Sequence, residues 1–216
     1  MFCGPGSARR RSSFLLSSSA MSSQLSGPFL MNKLKHSLLL LEHAQEIGYS
    51  EWAFQPESIS LRLCVENRNP LPADATNLPF FPYADCVEFF LKDSQAPDYH
   101  ELHCSTNGIR YQIHLPSREQ LQVHRHAAAL PAAWVAPTPE FVLTRNQLQD
   151  GFWELDLSIP WDLFPQGMPN RIQYHCAGYD AQAPGKPPRL WSSVPFSRRD
   201  FHYQEEWHQL QLRPQP

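Results

Sequence analysis

Short runs in which apolar and polar residues take turns, each ended by proline or a turn pair, constrain this chain more than any other feature. From Ser58 onward, Ile59, Leu61, Leu63 and Val65 alternate with Ser60, Arg62, Cys64 and Glu66. Further on, Trp153, Leu155, Leu157 and Ile159 alternate with Phe152, Glu154, Asp156 and Ser158. A period of two sends each apolar set into a core and leaves the other face polar. With 21 prolines against 9 glycines, long helices are not expected. Strands spaced by turns, without intervening helices, predict an all-β, antiparallel β-sandwich. The 216 residues suffice for one such domain with a full core.

Within this pattern, Tyr83 to Leu91 (YADCVEFFL) carries the one misplaced charge. Val87, Phe89 and Leu91 share one face, and Glu88 sits on the other between apolar neighbours. A carboxylate in that setting faces water, pairs with a donor, or waits for a ligand. The loop before it, Asn67 to Pro82, holds four prolines. After it, YHELHC and IRYQIHL read as a hairpin turned at Asn107-Gly108. Ser117 to Pro139 lacks a clean period and reads as a loop, an irregular strand or an insertion. Strand character returns at EFVLT, GFWELDLSI, RIQYHCAG, Leu190 to Val194 and WHQLQL, with Trp161 to Phe164 as a single helical turn after Pro160.

Residues 1–31 read as a disordered head or a false start, because Phe14 to Leu16 is too short an apolar patch for a signal peptide. Residues 32–50 read as a short N-terminal helix and lead-in, from Leu34, Leu38, Leu41 and Ala44 at spacings of four and three. Residues 51–213 form the sandwich. A net charge of -3 with both signs interspersed argues against nucleic acid as a partner, and no apolar run approaches a membrane span. The five cysteines lack CxxC spacing and read as buried thiols. The compartment stays open on these grounds.

The succession ISLRLCVEN, Pro-rich loop, DCVEFFL, YHE hairpin, FWELDLSIPW and LWSSVPFSRRDFHYQEEWHQLQL resembles the family 9 carbohydrate-binding modules and the DOMON-like bacterial domains related to them. The resemblance spans Phe54 to Leu212 and implies a jelly-roll-like β-sandwich that clamps a sugar between two aromatic rings. By position, Glu88 matches a carboxylate that bonds sugar hydroxyls, and Phe201 matches one clamp. The other clamp falls at Pro82, where Phe81 or Tyr83 can substitute. His100, His175 and Arg198 fall where the family has polar contacts. Both family clamps are tryptophans, so this chain offers a smaller platform. The usual opening strand with its Asp-Gly motif is not visible, and Asn32 to Ser50 stands in its place.

Sugar recognition needs an apolar face against C–H bonds and polar groups that replace the water lost by hydroxyls. Tyr83, Phe81, Glu88, His100, His175, Arg198 and Phe201 supply both kinds. Among the histidines, His124 and His126 share a face if extended, whereas His100 and His103 point apart, so solvated side chains are expected and no metal ligand set. Haem is not expected either, since Met168 lies in a Gly-Met-Pro turn. Glu88, Glu154, Asp156 and Asp200 could supply a glycosidase pair, but no motif selects two of them, and no GxSxG, HExxH or phosphate loop is present. The sequence therefore predicts a non-catalytic carbohydrate-binding domain without a cofactor. The alternative is a structural or protein-interaction sandwich that has lost sugar binding.

Overall fold

A computed structural model describes residues 32–74, 84–124, 129–181 and 186–213. Its strands are β1 (Asn32–Leu40), β2 (Glu46–Phe54), β3 (Ser58–Glu66), β4 (Cys86–Asp93), β5 (Tyr99–Ser105), β6 (Arg110–Leu115), β7 (Val142–Gln149), β8 (Phe152–Pro160), β9 (Arg171–Asp180), β10 (Arg189–Ser192) and β11 (His208–Gln211). They form one sheet in the order β6-β5-β4-β9-β10-β1-β2-β3-β8-β7, with β11 also paired to β9. The pairings are antiparallel. The β5–β6 hairpin turns at Asn107 and Gly108, where the φ of 83° is open to glycine at little steric cost.

The sheet curls so that its two halves face each other across one core. Val87, Phe89 and Leu91 of β4, Leu102 and Cys104 of β5 and Tyr174 of β9 meet Trp52, Phe54, Leu61, Leu63 and Leu155 from the other half. Trp52 joins the halves: its ring lies 4.8 Å from Tyr174 and 6.2 Å, edge on, from Phe89. Burying a side chain of that size contributes about 3 kcal/mol. The alternation read in β3 and β8 is observed, with Ile59, Leu61, Leu63, Trp153, Leu155 and Ile159 buried.

The expected N-terminal helix is not formed; residues 32–54 are the hairpin of β1 and β2. Leu34 and Leu38 share a face at a spacing of four in a helix and equally in a strand, so that pair cannot separate the two periods. The polar alternation of Lys33, Lys35 and Ser37, all exposed, belongs to the strand. β1 is hydrogen-bonded to both β2 and β10 and thereby links the two halves. This hairpin occupies the place where the sequence showed no opening strand.

The outer face of β4, β5, β6 and β9 is covered in turn. Helix α1 (Arg118–His124), the 3-10 turn Ala132–Trp134 and the segment around Phe196, Phe201 and Trp207 pack on it, forming a second apolar cluster with Phe90, Tyr99, Ile113 and Leu115. Among the described residues no helix is long and apolar enough to cross a membrane.

Candidate functional site

The pleat that sends Val87, Phe89 and Leu91 into the core puts Cys86, Glu88 and Phe90 on the outer face. Register then builds two rows. Ala177, Glu88, His103 and Tyr111 face one another across β9, β4, β5 and β6, and His175, Phe90, Glu101 and Ile113 form the next row. His103 Nε2 lies 3.1 Å from Glu101 Oε1, and its Nδ1 lies 3.6 Å from Glu88 Oε1. Glu88, Glu101 and His103 are 6%, 5% and 2% exposed, so the charged floor is sealed rather than solvated.

Burial pushes Glu88 up to about 7, with Glu101 adding to the effect and His103 and Tyr179 opposing it. For His103, burial disfavours the charge, but Glu101 and Glu88 outweigh it and raise the imidazole above its ordinary value. Cys86 Sγ stands 3.7 Å from His103 Nδ1, so Cys86, His103 and Glu101 line up in the order of a nucleophile, a base and its orienting group. The thiol is fully buried, and burial together with Glu88 pushes it well above its ordinary value. It is held as a thiol, and a reactive cysteine needs the opposite environment.

Beside this floor stands a wall of rings. His175 stacks on Phe90 at 4.3 Å and 8°, and Trp207 lies 5.0 Å from His175. The Phe201 carbonyl accepts hydrogen bonds from His175 Nε2 at 3.0 Å and Trp207 Nε1 at 2.8 Å. Those bonds fix the half-buried Phe201 ring 6.4 Å from His175 and 5.9 Å from Phe196. Burial lowers His175 well below its ordinary value, which keeps it a neutral donor at neutral pH.

The structure thus brings Glu88, His175 and Phe201 to one face. His100 is elsewhere: it pairs with Leu91 and His114 on the inner face of β5, and its ring meets Phe164 at 5.6 Å. Position 100 lies an odd number of residues from His103, so the two histidines take opposite faces. Arg198 is exposed, with its guanidinium 3.8 Å over the Tyr203 ring, on the surface of the segment that carries Phe201. Phe81 and Tyr83 lie outside the described residues, as do Pro82 and His126. Sequence reasoning missed Glu101 and took His103 for a solvated side chain. Glu88 faces His103 through the β4–β5 register, which the Asn107-Gly108 turn of the next hairpin does not set.

His100 makes a separate, testable contribution. Burial, then His114, lowers it to about 4. Above pH 6.5 the imidazole is neutral in both states, and as the pH falls from 6.5 to 4 only the unfolded chain takes up the proton. The group therefore withdraws about 3 kcal/mol of stability across that window. Denaturant unfolding at pH 7 and pH 4.5 will show a smaller loss in His100→Leu than in the wild type, by about 2 kcal/mol.

No protein-family model matches the chain, and no curated protein matches it. Solved structures do. A candidate carbohydrate-binding protein from Bacteroides uniformis aligns with a TM-score of 0.56 at 13% identity, over 84% of this chain and 86% of its own. A family 9 carbohydrate-binding module from Caldicellulosiruptor kristjanssonii, in complex with cellotriose, aligns with a TM-score of 0.52 at 10% identity, over 86% of this chain and 84% of its own. The same kind of module in complex with glucose gives a TM-score of 0.52 at 10% identity, over 86% of both chains. The curled antiparallel sheet of this chain is similar in fold to these carbohydrate-binding modules.

Proposed function

We propose that this chain is a non-catalytic carbohydrate-binding domain, with the jelly-roll-like wiring its resemblance implies. The ligand is a mono- or oligosaccharide held over the outer face of β4, β5 and β9. One observation carries the reading: a charged hydrogen-bonding cluster, Glu88 with His103 and Glu101, shares the outer face with the anchored Phe201 ring, which lies 6.5 Å from Phe90, the cross-strand partner of Glu101. In this reading the half-buried ring supplies the apolar surface for C–H bonds, and the exposed edge of Glu88 supplies an acceptor for a hydroxyl. Phe81 or Tyr83 is the proposed second platform, by position in the sequence.

The loss of sugar binding is a second reading with its own support, since the 6% exposure of Glu88 leaves little of the carboxylate open to a hydroxyl. Calorimetric titration with glucose, cellotriose and a panel of mono- and disaccharides separates the two. The expected result is saturable heat with at least one sugar, weakened about tenfold or more in Phe201→Ala and in Glu88→Gln. Absence of heat with every sugar favours the structural or protein-interaction sandwich.

A further inference from the structure

We propose that Glu88, Glu101 and His103 form a binding site for one divalent transition-metal ion. One donor atom from each residue lies within 4.8 Å of the other two. Three such donors leave a point about 2.8 Å or less from all of them, and small side-chain rotations close the rest to zinc-type bond lengths of about 2.0–2.2 Å. The scaffold is stiff. Glu88 and His103 are a directly paired cross-strand couple, and Glu101 stands two residues along β5 on the same face.

Charge makes the same demand. Two carboxylates and one imidazole are each at least nine-tenths buried, and a divalent cation held among them would offset carboxylate charge that burial makes costly. Two oxygens and one nitrogen with a position left open match the donor set of exchangeable zinc-type sites rather than closed structural ones. An all-oxygen cage for calcium is not what these residues build. The site shares Glu88 with the proposed sugar-binding face but rests on separate observations.

The test uses the full chain, stripped with a chelator and titrated with Co2+ alone and then with Zn2+. One equivalent of Co2+ should bind with visible d–d absorption and be displaced by Zn2+, with affinity at least tenfold weaker in Glu88→Gln/Glu101→Gln. Equal binding by that variant, confirmed as folded by circular dichroism, or no stoichiometric binding by the wild type, overturns the proposal. Zinc X-ray absorption of the wild type reads the ligands without any variant: one imidazole nitrogen with oxygen neighbours supports the site, and a sulfur ligand or several imidazoles overturns it. A protein that takes metal and no sugar keeps this inference and removes the proposed function; one that takes sugar and no metal does the reverse.

Discussion

Asp85→Ala will lower the unfolding free energy by about 3–5 kcal/mol, read as a lower denaturant midpoint at unchanged slope. Asp85 is 1% exposed and precedes the strand that carries Glu88. Its Oδ2 accepts from Asn67 Nδ2 at 2.7 Å and from the Leu71 N–H at 2.9 Å, and its Oδ1 accepts from the Ala181 N–H at 2.7 Å. One carboxylate therefore ties the end of β3, the proline-rich approach and the end of β9 together. Burial raises Asp85 above its ordinary value, against the opposing pull of those donors. Alanine would leave the donors orphaned, each at roughly 1–3 kcal/mol where water cannot reach. Asparagine will rescue less than half of the loss, because its amide group turns donors toward the donors on one side.

The second large effect is expected at Gly178. On β9 it pairs with Val87 on one side and with Trp191 on the other. A Cβ built there would lie 2.3 Å from the Trp191 ring and 2.5 Å from the Cys86 carbonyl oxygen. Neither neighbour has room to give. Trp191 is 1% exposed with its Nε1 hydrogen-bonded to Asp180, and Cys86 is held in the ladder between β5 and β9. Gly178→Ala should therefore destabilise by about 3 kcal/mol through overpacking, and Gly178→Val should yield little folded protein. Thermal unfolding of the alanine variant and soluble yield of the valine variant check the two statements.

Much of the fold was legible because the strands alternate cleanly and proline or Asn-Gly marks their ends. The β3 and β8 faces, the β5–β6 hairpin and the helical turn at Trp161–Leu163 all follow from those signals. β1 was not legible, since spacings of four satisfy a strand as well as a helix and its partner β10 has only four residues and lies far along the chain, Leu40 pairing with Trp191. Trp52, which no local pattern placed, proved to be central core for the same reason: it lies on the misread hairpin. In the site, Glu88 stood out in the sequence by its apolar flanks. Glu101 and His103 did not, because their proximity is a property of register and not of spacing along the chain. His100 shows the converse: it is near Glu88 in the hairpin, and the pleat turns it the other way.

The most direct measurement is a crystal of the protein soaked with cellotriose or glucose. The account predicts a sugar ring seated against Phe201 on the outer face of β4, β5 and β9, with a hydroxyl within hydrogen-bond distance of Glu88. A sugar bound elsewhere, such as the cleft of about 200 Å³ between His100, Asp98 and Phe164, would contradict it, as would a pocket that stays empty at saturating sugar.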